Sequence, residues 1–575
     1  MPPVRAGGSR ALALAPALTL ALMLGPLAAG LGGTLLPAFG YLPALGGEGF
    51  SLAPWRALFA EPGLARAAQV SAFVGIVSTL ISLAAVMAFC AAWQGTRAFS
   101  LLQRVVSPLL SVPHAATALA LAFLIAPSGW LARMVSPWAT GWTRPPDLLI
   151  VHDEAGLALV GGLVLKEIPF LFLMTLAALN QVDADARVRL ARTLGYGRMA
   201  AWLKAVFPAV YAQIRLPVYA VLAYAMSVVD MAIILGPTNP PTLSVLVLRW
   251  ANDPDLALRF QAAAGAIAQL LIVLGGLALW RLLEMGIARA GLRAATGGAR
   301  MTHDGWGRGI ALLPVAAIVA AVIAGLASLA LWSAARVWRF PDALPTRWTA
   351  ANWTDNAARA GELIATSAGI AALAALIALV LTVACLERET GRTHTGSLGA
   401  ERLSRALPLL YAPLIVPQIA FLFGLQVFFV RIGIDGTAGA VVWAHLVFVL
   451  PYAFLAMADP YRAYDPRYVR TALCLGVSGR AAFWRVKLPM LLRPLLVAFA
   501  VGFAISVGQY LPTVFAGAGR VPTVTTEAVA LAASADRRLI GIFALLQAVL
   551  PFAGFALATA IPALAFRSRR GLQVR

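Results

Sequence analysis

The chain has 575 residues, of which 61% are hydrophobic and only 12% are charged. Soluble domains average about 25% charged and about 45–50% apolar residues, so this composition indicates an integral membrane protein and leaves no room for a large soluble catalytic domain. The net charge of +21 is scattered over short loops. A nucleic-acid-binding protein would concentrate its basic residues on one face, so that function is not expected.

Long apolar windows recur along the chain, each able to cross a hydrocarbon core of about 30 Å as a helix. They divide it into two halves, 1–290 and 310–575, joined by a Gly- and Arg-rich linker at 291–309. The expected spans are 11–36, 67–93, 105–127, 156–180, 209–235 and 260–288 in the first half, and 310–335, 361–386, 406–430, 438–459, 490–515 and 540–566 in the second.

These windows predict an all-α polytopic membrane protein with about twelve transmembrane helices in two six-helix repeats. Because each half has an even number of spans, the repeats should be parallel, related by an axis along the membrane normal. The first window has a basic head and an apolar body, as a signal peptide does, but its length favours an uncleaved first span.

The distribution of Lys and Arg predicts the orientation of the bundle. The loops on the side that contains both termini carry about twice as many Lys and Arg residues as the loops on the other side. By the positive-inside rule the richer side is cytoplasmic, so both termini should face the cytoplasm. The segments between the fifth and sixth span of each half, from 236 and from 516, should form short helices at the opposite surface.

The two halves share a pattern at Arg189–Pro208 (RLARTLGYGRMAAWLKAVFP) and at Arg470–Pro489 (RTALCLGVSGRAAFWRVKLP). In each copy the sequence predicts a helix, a glycine turn at Gly195 or Gly476, and a second short helix that stops before the proline. One such loop would be weak evidence, since Leu-Gly turns are common. Two copies at matching places of a repeated chain are a stronger signal.

These residues resemble the cytoplasmic coupling (EAA) loop of ABC importer permeases, a pair of short helices that docks into a cleft on a separate ATPase subunit. Here the loops would cover 183–208 and 465–489. The positions that match or replace those of the family pattern are Arg189, Ala191, Gly195 and Pro208, and Arg470, Ala472, Gly476 and Pro489. Arg stands in both copies where the family has Glu, which removes any salt link made by that Glu but keeps the glycine turn.

The resemblance implies a permease that forms the translocation path and is driven by two cytoplasmic ATPase subunits, with a periplasmic solute-binding protein as a further partner. The sequence has no Gly-x-x-x-x-Gly-Lys-Ser/Thr loop, so ATP would be bound by the partner subunits and this chain would hold no cofactor. Basic residues expected at the rim of the docking surface are Arg192, Arg198, Lys204, Arg480, Arg485 and Lys487.

Fused two-half permeases of this kind look like those for thiamine and for ferric iron, and the stretches 235–253 and 508–532 look most similar to thiamine-type permeases of Gram-negative bacteria. The expected location is the bacterial inner membrane.

The alternative to an ABC importer permease is an ion-driven secondary transporter with twelve spans. The paired glycine-turn helices argue against it. Hydrolase and zinc-protease motifs are missing, and the three cysteines lack metal-ligand spacing, so neither an enzyme nor a metal site is expected.

Prolines provide a second internal match. Pro108–Pro113 aligns with Pro408–Pro413, and this pattern should kink or break the start of the third span in each half.

Polar side chains inside spans are candidates for the translocation path, because a charge at the bilayer centre costs about 2.5–3.5 kcal/mol on insertion scales. The candidates are Lys166, Glu167, Asp230, His445 and Gln509. For Lys166 and Glu167 we favour an interhelical ion pair or a snorkelling pair near the outer interface. Asp230 has no obvious basic neighbour in sequence. A path-lining role and a structural role explain it equally well.

Overall fold

The computed structural model describes residues 10–109, 111–298, 300, 302, 304–392, 409–534 and 536–565. Both chain ends and Pro408 lie outside the described residues. The helices of the first half are α1 (Arg10–Ala38), α2 (Ala53–Ala60), α3 (Leu64–Trp93), α4 (Arg97–Leu109), α5 (His114–Ile125), α6 (Trp130–Val135), α7 (Leu157–Leu179), α8 (Ala184–Thr193), α9 (Arg198–Ala205), α10 (Phe207–Ser227), α11 (Asp230–Leu235), α12 (Leu243–Ala251) and α13 (Leu258–Thr296).

The second half repeats this order. Its helices are α14 (Gly305–Ala334), α15 (Ala351–Asp355), α16 (Ala357–Arg392), α17 (Leu409–Ile415), α18 (Gln418–Arg431), α19 (Ala438–Arg462), α20 (Arg467–Cys474), α21 (Gly479–Ala482), α22 (Leu488–Met490), α23 (Leu492–Val507), α24 (Leu511–Gly517), α25 (Val524–Leu531) and α26 (Arg537–Ala565). A small antiparallel ribbon, β1 (Ala335–Val337) with β2 (Arg347–Trp348), follows α14.

The prediction of an all-α polytopic membrane protein is confirmed. Among the described residues, ten helices are long and apolar enough to cross a membrane. Two bent pairs raise the number to twelve: α17 and α18 meet at 98°, and the helical stretch Gly479–Met490 meets α23 at 71°.

The two halves build the same contacts. α3 packs against α7 and α10, and α16 packs against α19 and α23. Ser71 on α3 accepts a hydrogen bond from the backbone N–H of Leu243 at 3.0 Å, at the start of α12. Ser367 on α16 accepts one from Val524 at 2.9 Å, at the start of α25. The short outer helices α12 and α25, which the sequence predicted, are therefore anchored to the bundle in the same way in each half.

The halves are joined by reciprocal crossings. α1 packs against α18 of the second half, and α14 packs against α5 of the first. At the first crossing, Gly33 lies against the backbone of Gly424, and Thr34 Oγ1 accepts a hydrogen bond from the Gly424 N–H at 3.0 Å. At the second, Gly325 lies against the backbone of Ala120. Small residues at these points let the helix axes approach closely, which is how helices associate in lipid.

Both third spans do begin at a break, but the predicted proline match is wrong by four positions. α5 begins after Pro113 and α18 begins after Pro417. Pro413, the predicted partner of Pro113, lies inside α17. Proline repeats are abundant in this chain, and the sequence alone does not show which proline caps the helix.

The crossing of α1 and α18 yields a prediction with an adjacent control. A Cβ at Gly33 would lie 2.7 Å from the carbonyl oxygen and 2.9 Å from the Cα of Gly424, whereas one at Gly32 would meet nothing within 4 Å. Gly33→Val should therefore destabilise the protein by at least about 1–3 kcal/mol, the usual cost of overpacking, while Gly32→Val should not. Thermal melting of the detergent-purified chain measures the difference, and equal melting temperatures for the two variants would contradict this crossing.

Candidate coupling loops and translocation path

The first candidate coupling loop is a helical hairpin, α8–α9, closed by Gly195. The Asp183 side chain caps α8 by accepting a hydrogen bond from the Ala186 N–H at 3.2 Å. Gly195 has φ +87°, in the left-handed region where a side chain would be strained. The following Tyr196 N–H donates back to the carbonyl of Ala191 at 3.4 Å, which pairs a carbonyl that the end of α8 would leave free.

The second candidate loop has the same turn. Gly476 has φ +84°, and the Val477 N–H donates to the carbonyl of Ala472 at 3.0 Å. After the turn the helix is less regular, because α21 passes into a π-helical turn at Phe483–Lys487 before α22. Pro208 occupies the second position of α10, where the missing N–H costs no intrahelical bond. Pro489 lies near the end of the helical stretch Gly479–Met490, so the second helix of this loop runs past the proline before which it was predicted to stop.

Matching positions of the two loops expose apolar side chains. Leu194 and Leu475, just before each glycine, are 58% and 78% exposed. Leu203 and Trp484, on the second helix of each loop, are 42% and 59% exposed. Sequence analysis singled out the turn but missed these residues, which the repeated Leu-Gly pair could have indicated.

The alanines and arginines of the family pattern behave differently from one another. Ala191 and Ala472 are buried, so they pack against the chain itself. Arg189 and Arg470 are exposed.

Of the six predicted rim charges, three are exposed and three are bound within the chain. Arg192, Arg480 and Arg485 are exposed. The other three bind within the chain: Arg198 donates to the carbonyl of Gln94, Lys204 to that of Ala294 at 3.0 Å, and Lys487 to Glu387 Oε2 at 2.5 Å. The correction has a simple cause, since these long side chains reach back from the loop to the helix ends beside it.

Glu167 and Lys166 are neighbours on α7, both buried inside the bundle rather than snorkelling toward an interface. Glu167 accepts hydrogen bonds from the hydroxyls of Ser78 at 3.0 Å and Ser82 at 2.9 Å on α3. Its carboxylate is thus held by hydroxyls rather than by a cation, which favours a role in joining α7 to α3. The Lys166 Nζ donates to the carbonyl of Val112 at 2.5 Å, in the break before α5.

Asp230 lies at a break in the fifth span, where α10 ends at Ser227 and α11 begins. The Tyr224 hydroxyl donates to Asp230 Oδ1 at 3.4 Å, and the Tyr224 ring lies 4.8 Å from the ring of His114. Lys166 is within electrostatic range of Asp230. The structure therefore brings together a polar cluster of four residues of the first half, His114, Lys166, Tyr224 and Asp230.

The second half contributes to this cluster through Tyr510, whose hydroxyl is within electrostatic range of Asp230. Tyr510 follows Gln509 directly, at the break between α23 and α24. Both residues are partly exposed. Sequence analysis selected Gln509 and missed Tyr510, although both lie at the break that matches that of Asp230.

His445 is placed differently from the other candidates. It is buried, its Nδ1 pairs with the hydroxyl of Ser506 at 2.8 Å, and its Nε2 pairs with the hydroxyl of Thr513 at 2.9 Å. Both ring nitrogens are thus used to join α19 to α23 and α24. This geometry favours a packing role for His445.

An all-α polytopic bundle with two matched helical hairpins and a polar cluster that draws on both halves suits a membrane transporter. Comparison with known proteins specifies the family. The chain is 32% identical over 535 residues to the inner membrane ABC transporter permease protein YnjC of Escherichia coli, covering 91% of this chain and 93% of that one. The chain belongs to the ABC transporter permeases.

A shorter similarity links the chain to a second kind of permease. It is 31% identical over 138 residues, 22% of this chain, to the molybdenum transport system permease protein ModB of Mycobacterium bovis, and equally to that of Mycobacterium tuberculosis. The match covers 52% of those proteins. No family model and no solved structure matches the chain.

The glycine turns give a prediction about loop stability. A Cβ at Gly476 or at Gly479 would meet nothing within 4 Å, but Gly476 alone has a positive φ. Gly476→Ala should therefore destabilise the local turn by about 1–2 kcal/mol, through backbone strain alone. Hydrogen exchange at Gly476 and Val477 should become roughly 5–30 times faster in this variant. Gly479→Ala is the control, and equal exchange in both variants would contradict a strained turn.

Proposed function

We propose that this chain is the membrane permease of a binding-protein-dependent importer in a bacterial inner membrane, with the coupling-loop face in the cytoplasm. The observation that supports it best is the matched pair of hairpins that expose Leu194 with Leu203, and Leu475 with Trp484. Exposed apolar groups ringed by polar ones mark protein interaction sites. In this proposal each hairpin docks on one ATPase subunit, so two subunits bind one chain.

The energy source and the substrate delivery lie outside this chain in the proposal. ATP is bound by the two ATPase subunits, and a periplasmic solute-binding protein docks on the opposite face, where α12 and α25 lie. The excess of Lys and Arg in the loops on the hairpin side supports this orientation, including cytoplasmic termini. The ion-driven secondary transporter is the competing proposal, and it requires no docked ATPase.

The translocation path in this proposal runs between the halves, past Lys166, Asp230 and Tyr510. A path that offers a cation, a carboxylate and phenol hydroxyls suits a small polar solute. Thiamine and ferric iron are the candidates that the sequence resemblance supports, and molybdate is a third candidate because of the partial similarity to ModB. Glu167 and His445 support the path by fixing α7 and α19.

Docking is tested by charging the exposed leucines. Leu194→Asp together with Leu475→Asp should abolish co-purification of a co-expressed ATPase subunit, because a carboxylate would have to be buried in the docking cleft. Leu344→Asp, at a 56% exposed residue near the β-ribbon on the opposite face, is the control and should leave co-purification unchanged. If the double variant retains its ATPase at the wild-type ratio, these residues do not dock it.

The path is tested by uptake. Proteoliposomes with the chain, its ATPase and its solute-binding protein should take up one of thiamine, ferric iron or molybdate on addition of ATP. Asp230→Ala should lower that uptake about tenfold or more while ATPase co-purification stays unchanged, and the exposed Asp147→Ala should leave both unchanged. Wild-type uptake by Asp230→Ala would exclude Asp230 from the path. ATP-independent uptake driven by an ion gradient would favour the secondary transporter.

A further inference from the structure

The two coupling loops differ in how their second helix begins. In the second loop, Ser478 is the N-cap of α21, and its hydroxyl accepts a hydrogen bond from the Ala481 N–H at 3.3 Å. The matching position in the first loop is Gly197, the N-cap of α9, which has no side chain to offer. A glycine N-cap is tolerated where water reaches the free N–H groups, but Gly197 is buried. The start of α9 therefore needs another acceptor.

That acceptor comes from the junction between the two halves. Asp304 Oδ2 accepts hydrogen bonds from the N–H groups of Met199 at 2.5 Å and Ala200 at 3.3 Å. By position Asp304 is the N-cap of α14, yet its side chain makes no capping bond to that helix. Its carboxylate serves α9 instead, where the positive end of the helix dipole also favours an anion.

A second contact from the junction supports this arrangement. The Gly197 N–H donates to the carbonyl of Arg300 at 3.2 Å, and the Arg300 side chain lies over Gly195. The first loop is thus closed by residues that precede the second half, whereas the second loop closes itself through Ser478.

We propose that Asp304 is a positioning residue that caps α9 from across the junction and ties the first coupling loop to α14, the first span of the second half. A displacement of α9 would then be transmitted to α14, in the other half, through the hydrogen bonds of this one carboxylate. The part of this inference that concerns transport rests on the proposed permease function. The part that concerns the cap of α9 does not, because it involves the chain alone.

The cap of α9 by Asp304 is tested by hydrogen exchange on the purified full-length chain. Asp304→Ala should speed exchange at Met199 and Ala200 about fivefold or more, and should leave Ala481 unchanged. Asp304→Asn should stay near the wild type, because an asparagine oxygen caps about as well as a carboxylate. Ser478→Ala is the reciprocal control and should speed exchange at Ala481 only. Unchanged exchange in Asp304→Ala, or equal effects of Ala and Asn, would overturn the cap.

A second-site variant makes the test independent of general destabilisation. Gly197 has φ −59° and ψ 161°, a conformation open to serine. Gly197→Ser in the Asp304→Ala background should restore slow exchange at Met199 and Ala200 by supplying the cap that the second loop has in Ser478. Failure of this rescue, with the Asp304→Ala effect present, would overturn the assignment.

The role in transport is tested by measuring the ratio of solute uptake to ATP hydrolysis in the reconstituted complex. The solute is whichever of the three the wild type takes up. Asp304→Ala should lower this ratio several-fold while the ATPase still co-purifies. An unchanged ratio together with faster exchange would overturn the tie to α14 but not the cap. Failure of the permease function would look different, since the wild-type chain itself would then retain no ATPase.

Discussion

The structure depends on one constraint of the bilayer: every backbone N–H and C=O in the hydrocarbon core must find a partner within the protein. The fifth span of each half is broken, and each break would leave carbonyls unpaired. In the first half, Gln269 on α13 donates to the carbonyl of Met226 at 2.9 Å. In the second, Gln547 on α26 donates to the Thr525 hydroxyl at 2.9 Å, and that hydroxyl donates to the carbonyl of Val507. In both halves a glutamine of the sixth span thus helps to pair a backbone carbonyl at the break of the fifth span, directly in the first half and through Thr525 in the second.

The breaks place the polar cluster. Asp230 begins the short helix α11 and Tyr510 is the N-cap of the short helix α24, so each lies directly at a break in its span. Asp230 is buried and Tyr510 is partly exposed. Polar side chains that are costly in lipid therefore gather at the points where the backbone is already irregular and internally satisfied.

Much of this arrangement was predictable from hydropathy and repetition. Span number and the hairpins with their glycine turns follow from local sequence signals, because a helix in lipid is fixed by its own apolar length and a left-handed turn by its glycine. The sequence did not predict that α18 begins after Pro417, that Leu475 is exposed, or which residue binds Lys487. Each depends on which side chains of distant segments lie nearby, and no period in the sequence encodes that.

The halves are similar in shape but unequal in chemistry. α7 carries Lys166 and Glu167, whereas the matching positions of α19 are Val447 and Phe448, both buried. A repeat fixes the backbone positions but not the side chains that they carry. The second half is correspondingly free to use its own polar residue, His445, as a bond between α19 and α23.

In the proposed function, the order of the helices along the chain connects the candidate coupling loops to the polar cluster. α8 and α9 lie in sequence between α7, which carries Lys166, and α10, which ends at the break before Asp230. The second loop lies between α19 and α23, and His445 bonds α19 to Ser506 on α23 and to Thr513 on α24, the helix that Tyr510 precedes. In the proposed mechanism a displacement of either hairpin tilts the two helices that flank it. Because the polar cluster is shared between the halves, tilting one half against the other changes the distance between Asp230 and Tyr510, and with it access to the path.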